Sequence, residues 1–386
     1  MDLAPFLHPA ASAVVYGAGC AARVGAQGPL KRAARVAVIT DRGVRGAGLL
    51  EGALASLGER AVLIDDGVVP DADARHVDAL AARARELGVD GLLAVGGGSV
   101  MDTTKGVGAV LTKGRRLAEL EGMATIRAPL PPLVCVPTTA GTGSEATQFA
   151  VIKDHVEGKK CVLMDSALLP GCAFLDPTLV VGLPRAVTAA TGVDAITHAL
   201  EAVASRLHNP IATALATAAL RLLLGDAGAL AKSLASPGDV EARGACLVAA
   251  NLAGQAISSA MLGACHAFGH ALGAKKGVPH GVANGVVVVR VLQENLAEAR
   301  PCYQQVARAL GLSDADALVA AVEHTVHEVA GMPRTLGALG VDDGDLEELV
   351  RLTLDDADLG TNPVLFDEAA VRGVLRSLLG EGPASR

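Results

Sequence analysis

Asp194 and His198 stand four residues apart in Gly-Val-Asp-Ala-Ile-Thr-His-Ala-Leu-Glu, a stretch with helical periodicity. Side chains at i and i+4 leave one face of a helix, so this carboxylate and imidazole can reach one ion. His266 and His270 repeat the spacing in Cys265-His-Ala-Phe-Gly-His270. His280 follows after Gly273, Gly277 and Pro279, residues that permit a turn and a return. Imidazoles combined with a carboxylate suit a divalent ion such as Fe²⁺ or Zn²⁺. A lone His on an Ala-rich helix is more often an ordinary side chain, and His324 and His327 read as a solvated helix face. The acid, the repeated spacing and the turn together make the first group a candidate metal centre. Four protein ligands close a tetrahedral zinc site, whereas ferrous iron accepts further ligands and leaves room for a substrate oxygen. The pattern favours iron and leaves an expanded zinc site open.

Two polar loops offer a second chemistry. Gly91-Leu-Leu-Ala-Val95 leads into Gly96, Gly97, Gly98 and Ser99, then Val100, Met101 and Asp102. Glycines after a strand let backbone N–H groups approach an anion, and a following helix N-terminus favours a phosphate. Ser99 is positioned to cap that helix, with Asp102 completing a capping box. The same glycines also suit a plain tight turn. A second loop follows Leu133–Val136 and carries Thr138, Thr139, Gly141, Thr142, Gly143 and Ser144. Two such loops, each after a strand, suggest a dinucleotide along the sheet edge. Asp41, after the strand ending at Thr40, suits a ribose 2′-hydroxyl and disfavours a 2′-phosphate, which points to NAD over NADP. A helix cap is its rival role.

The elements that must position these residues change along the chain. Short β-branched runs at Val36–Thr40, Ala61–Asp65, Gly91–Val95 and Leu133–Val136 alternate with helical segments such as Asp73 to Leu87 and Val100 to Leu111. Alternation of this kind predicts an α/β domain with a parallel sheet covered on both faces, binding ligands beyond the strands' carboxyl ends. From about Pro184 onward the periodicity is helical throughout. The run Val286–Val289 has strand propensity, but its neighbourhood lacks partner strands and predicts helix. At 386 residues the chain is expected to form two domains, with a cleft between them as the natural place for a site.

Composition narrows the class. Hydrophobic residues make up 51% and aromatics 2%, so the core must rest on Val, Leu, Ile and Ala. A net charge of −8 argues against nucleic acid or an anionic membrane as partner. Seven scattered cysteines without a CxxC pair read as reduced thiols of a cytoplasmic protein. No apolar stretch reaches the ~18 residues of a membrane span.

The motifs coincide with those of a known family. In GGGSVMDTTK at 96–105, PTTAGTGSEAT at 137–147, LDPTLVVGLP at 175–184, GVDAITHALEA at 192–202 and HAFGHALGAKKGVPHGVAN at 266–284, the chain resembles the iron-containing (group III) alcohol dehydrogenases of the dehydroquinate-synthase-like fold. The resemblance is collinear from about residue 14 to beyond Asn362-Pro363. It implies metal ligation by Asp194, His198, His266 and His280, and sets His270 apart as a proton relay near the substrate. It implies NAD contacts from Asp41, Gly97, Gly98, Ser99, Thr138, Thr139, Thr142 and Lys160, and Asp102, in the first of these motifs, is a further cofactor-binding candidate. It also implies an NAD-binding α/β domain over residues 1–182, an all-helical metal-binding domain over 183–386, and a homodimer. The expected activity is reversible hydride transfer between a small alcohol or aldehyde and NAD. A reductase of an acidic carbonyl, of the maleylacetate or phosphonate-aldehyde type, is the alternative. Maleylacetate reductases tend to carry Asn at the metal-site acid, where this chain has Asp194. A lyase of dehydroquinate synthase type normally includes a glutamate among its ligands, which this set lacks. Lys275 and Lys276 suit either an anionic substrate or a solvated loop.

Overall fold

A computed structural model describes residues 5–154 and 159–380. The chain packs as two compact units, Pro9–Gly182 and Leu183 onward, with the residues up to His8 clustering with the second.

The first unit contains strands β1 (Ala13–Tyr16), β2 (Val36–Ile39), β3 (Ala61–Asp65), β4 (Gly91–Gly96), β5 (Gly122–Met123), β6 (Leu133–Pro137), β7 (Phe149–Asp154), β8 (Lys159–Met164) and β9 (Cys172–Leu175). Its helices are α1 (Arg42–Gly46), α2 (Glu51–Leu57), α3 (Ala74–Glu86) and α4 (Gly98–Lys113). The main sheet runs β1-β9-β6-β4-β2-β3, with every neighbouring pair parallel. The central strands β4 and β6 are buried along their whole length, as a parallel strand covered on both faces must be. Alternate residues serve opposite faces. Ala37, Ile39, Leu92 and Ala94 pack with Val77 and Leu80 of α3 and Met101 of α4, while Val36, Val38, Leu93 and Val95 pack with Ala53 and Leu57 of α2.

The parallel α/β architecture agrees with the sequence, and the four predicted strands all lie in the main sheet. The sequence reading did not name β1, β9 or the second sheet, ordered β5-β8-β7, in which β7 and β8 are antiparallel. Their residue types explain this. β1 is a short, largely exposed edge, β9 reads Cys-Ala-Phe-Leu without a β-branched residue, and the β7–β8 pair carries Lys153, Asp154, Lys159 and Lys160.

The second unit is helical among the described residues. It contains α5 (Arg185–Ala204), α6 (Pro210–Leu223), α7 (Ala229–Ala235), α8 (Val240–Ala260), α9 (Ala264–Lys276), α10 (His280–Ala309), α11 (Ala315–Glu323), α12 (Leu346–Leu354) and α13 (Glu368–Leu379). Val286–Val289 lies inside α10 and is buried, so tertiary packing overrides its strand propensity. Helix α5 packs against α6, α8 and α10. Small residues allow a very close approach here: a Cβ on Gly281 would meet the Ala190 carbonyl oxygen at 2.0 Å. This contact seats the start of α10 against the middle of α5. The N-terminal residues are tied to the same unit by Asn209 Nδ2 donating to the Leu7 carbonyl at 3.0 Å, and His8 Nδ1 pairs with Ser259 Oγ at 3.1 Å.

Candidate active site

Three helices of the second unit bring Asp194, His198, His266 and His280 to one point. Asp194 and His198 leave one face of α5, His266 sits in the first turn of α9, and His280 opens α10 after a Gly277-Val278-Pro279 turn. Their donor atoms lie within 4.8 Å of one another. From Asp194 Oδ1 the distances to Nε2 of His280, His266 and His198 are 3.4, 3.7 and 3.8 Å. The centre of a regular tetrahedron with such edges lies about 2.1–2.3 Å from each corner, close to the roughly 2.0–2.2 Å of metal bonds to imidazole and carboxylate. The donor set therefore fits a divalent ion.

Electrostatics agree with a site for a cation. Burial works against the Asp194 carboxylate, yet His198, His280 and His266 outweigh it and hold its pKa far below the carboxylate range. For His266, burial opposes protonation, but Glu201 and Asp194 prevail and push its pKa up to about 10. Glu201 Oε2 lies 2.5 Å from His266 Nδ1, which leaves Nε2 facing the other donors. A carboxylate behind a ligating imidazole fixes both ring orientation and tautomer. The sequence reading missed Glu201, although it stands three residues after His198 and shares its helix face. It also missed Asn284, one turn after His280, whose Nδ2 donates to Asp194 Oδ1 at 3.0 Å.

His270 stands beside these donors. Its ring stacks with His280 at 5.4 Å and meets His266 edge-on at 5.9 Å. Its Nδ1 lies 2.8 Å from Asp356 Oδ2 and 3.7 Å from Asp358 Oδ2. A carboxylate thus holds Nδ1 of this imidazole and fixes the direction of its ring. Nothing in the sequence near His270 signals Asp356, which lies 86 residues further on.

In the first unit the glycine and threonine loops meet. A Cβ on Gly98 would come within 2.8 Å of Thr142 Cγ2, and one on Gly97 within 3.3 Å of Thr139 Oγ1. Thr138 is buried and its N–H donates to the Gly96 carbonyl at 3.0 Å, while Thr139, Thr142, Gly97, Gly98 and Ser99 are partly accessible. Asp41 caps α1 through Oδ1, which accepts from Val44 N–H at 2.9 Å. Lys160 lies on β8 and is exposed.

The expected capping box is corrected. Gly97 occupies the N-cap of α4 without a side-chain cap, and Ser99 lies inside the first turn. Asp102 instead turns toward the second loop, accepting from Ser144 Oγ at 2.7 Å and Val151 N–H at 3.0 Å. Lys105, one turn further along α4, is wholly buried and donates to Ser144 Oγ, to the Thr147 carbonyl and Oγ1, and to the Phe149 carbonyl. Burial pushes Asp102 up and Lys105 down, against their mutual attraction. Lys275 and Lys276 are engaged by acids, Lys275 with Glu348 and Lys276 with Asp345 at 2.5 Å.

Comparison with known proteins places these features in context. The family model described as iron-containing alcohol dehydrogenase matches residues 11–177, and the C-terminal model of Fe-containing alcohol dehydrogenases matches 188–379. The chain is 35% identical over 374 residues to 1,3-propanediol dehydrogenase of Klebsiella pneumoniae, covering 94% of this chain and 95% of that protein. It is 30% identical over 386 residues to the NAD-dependent methanol dehydrogenase of Bacillus methanolicus, covering 97% and 99%. A crystal structure of 1,3-propanediol oxidoreductase superposes with a TM-score of 0.92 at 33% identity, over 97% of this chain and 100% of that one.

Proposed function

This chain belongs to the iron-containing alcohol dehydrogenase family, and we propose that Asp194, His198, His266 and His280 hold its catalytic divalent ion, iron in preference to zinc. The enzyme is an NAD-linked oxidoreductase that moves a hydride between an alcohol carbon and the nicotinamide. The observation carrying the ligand assignment is the convergence of four donor atoms within 4.8 Å, with three imidazole Nε2 atoms 3.4–3.8 Å from Asp194 Oδ1.

When bound, the ion supplies Lewis acidity to the substrate oxygen and the dinucleotide supplies the hydride acceptor or donor. The chain's own residues do the rest. His270 Nε2 receives the hydroxyl proton during alcohol oxidation and returns it during aldehyde reduction, with Asp356 holding Nδ1 and thus the ring. Glu201 keeps the Nε2 lone pair of His266 directed at the centre. In the first unit, the N–H groups of Gly98 and Ser99 open α4 toward the cofactor's phosphates. Gly97, Thr138, Thr139 and Thr142 line the approach, and Lys160 adds a cation. Asp102 contributes by fixing Ser144. Asp41 keeps Oδ2 for the adenosine ribose while Oδ1 caps α1, which supports NAD over NADP.

The acids that engage Lys275 and Lys276 support an uncharged alcohol or aldehyde over an anionic substrate. Seven free thiols support a reducing, cytoplasmic setting. No single helix among the described residues is long and apolar enough to cross a membrane. The exposed edge strand β1, with Val14 and Tyr16 open to solvent, supports a homodimer. The test is NADH formation from a panel of short alcohols and diols, before and after chelation and reloading with Fe²⁺ or Zn²⁺. Loss on chelation and recovery on reloading is the expected result; undiminished turnover in the chelated protein contradicts the assignment.

A further inference from the structure

One buried amide at the metal centre is unused by the roles above. Asn284 is wholly buried on α10, one turn after His280. Its Nδ2 lies 3.0 Å from Asp194 Oδ1, 3.2 Å from His266 Nε2 and 3.3 Å from His280 Nε2, so it meets three of the four donor atoms. Its Oδ1 is buried without a hydrogen-bond partner and faces α9, where a Cβ on Gly269 would come within 2.1 Å of it. The neighbours fix which end of the amide points inward. An ionised Asp194 Oδ1 can only accept, so the amide presents Nδ2 to it. An unpaired buried carbonyl is costly and survives where the opposite end of the amide makes a stronger contribution. Glycine at 269 makes room for that arrangement.

We propose that Asn284 is a positioning residue of the metal centre. Its Nδ2 anchors Asp194 Oδ1 and covers the triangle of Asp194, His266 and His280. A further oxygen ligand is thereby confined to the side where His280 is open and His270 stands. The inference rests on the four-ligand reading. With the Nε2 lone pairs of His266 and His280 engaged in ligation, Asp194 Oδ1 still keeps a lone pair for the amide. Of the three contacts, this one persists in the loaded centre. Exposure points the same way: the His280 side chain is 39% accessible, against 5% or less for the other three. Asn284 thus closes a face of the donor set while His280 leaves the entrance.

The experiment titrates the metal-free full-length protein with Co²⁺, comparing wild type, Asn284→Leu, Asn284→Ala and Gly269→Ala. Affinity is read by competition with a chelator, and coordination by the visible absorption of the bound Co²⁺. Asn284→Leu keeps the volume but removes the donor, and should weaken Co²⁺ binding roughly 10- to 100-fold, the range for partners of ligating groups. Asn284→Ala opens the covered face to water and should lower the visible band intensity as a ligand is added. Gly269→Ala displaces the amide without altering it and should shift both readouts in the same direction. Leu and Ala variants that fold with wild-type circular dichroism and keep wild-type affinity and spectrum overturn the proposal. If the position-284 variants do not fold, an unchanged affinity and spectrum in Gly269→Ala overturns it instead. Failure of the wild type to bind Co²⁺, or equal binding by His266→Ala, would count against the four-ligand reading rather than against Asn284.

Discussion

The two units of this chain build sites from opposite materials. In the α/β unit the candidate cofactor surface is made of absent side chains and backbone: Gly97 and Gly98 let two loops touch, and hydroxyls stand partly open to solvent. In the helical unit the candidate metal centre is made of side chains, three of them 5% exposed or less, each donor backed by a helix. A surface of many weak contacts shares its load among residues. An enclosed cluster of charges concentrates it, because in a low-dielectric interior each missing partner leaves another group uncompensated.

That contrast can be broken at Lys105, where the α/β unit also buries a charge. Replacing Lys105 with Met leaves Asp102 without its cation and Ser144, Thr147 and Phe149 without their donor. The loss should be several kcal/mol in denaturant unfolding, since each buried acceptor left unsatisfied costs about 1–3 kcal/mol. Because the same lysine holds the second loop, the KM for NAD should rise as well. Unchanged stability would mean that the lysine does not hold these acceptors.

The next largest effect should be at Glu201. Removing its charge with Glu201→Gln leaves the ring of His266 less firmly oriented. Metal affinity should fall roughly 10- to 100-fold, with little change in the KM for NAD. An equal effect on both would erase the distinction between the units.

A pH measurement sharpens the same point. In the metal-free protein His266 has its pKa raised to about 10, so its proton stabilises the fold. That contribution is fully present below the ordinary histidine value of about 6.5 and is lost as pH rises through the raised value. Binding an ion at neutral pH must displace this proton, so affinity should climb with pH, on the order of tenfold per unit for each proton released. Calorimetric titration in buffers of different ionisation enthalpy would count the protons. A pH-independent affinity between neutrality and the raised pKa would contradict the buried, carboxylate-backed imidazole.

The smallest effect is expected where charges are exposed. Lys275→Ala and Lys276→Ala should leave kcat and the KM for neutral alcohols unchanged, since both lysines are engaged by acids of the same unit. A loss confined to acidic aldehydes would revive the anionic-substrate alternative.

How far the sequence could be read follows the same division. The helices of the candidate metal centre announced themselves, because i and i+4 spacing converts directly into a shared face, and the strands leading into both loops were apolar enough to recognise. The role of Asp102 was misread, since Ser-x-x-Asp at a helix start satisfies the capping pattern locally. The side chain instead meets Val151 from a distant strand. Asp356 was illegible for a like reason: its meeting with His270 depends on tertiary packing alone. Glu201 and Asn284 lay within reach, on the helix faces of His198 and His280, but their types carry no metal-site signal until the neighbours are known. The strands β7 and β8 were hidden by charges that a half-exposed sheet tolerates.

The most direct test of the central claim measures metal content and turnover together in wild type and His266→Ala, purified in parallel after loading with Fe²⁺ or Zn²⁺. The expected result is one tightly held ion per wild-type chain, and a folded variant that retains none and does not oxidise alcohols. A variant that keeps its ion and its turnover would contradict the assignment of Asp194, His198, His266 and His280 as the centre of this enzyme.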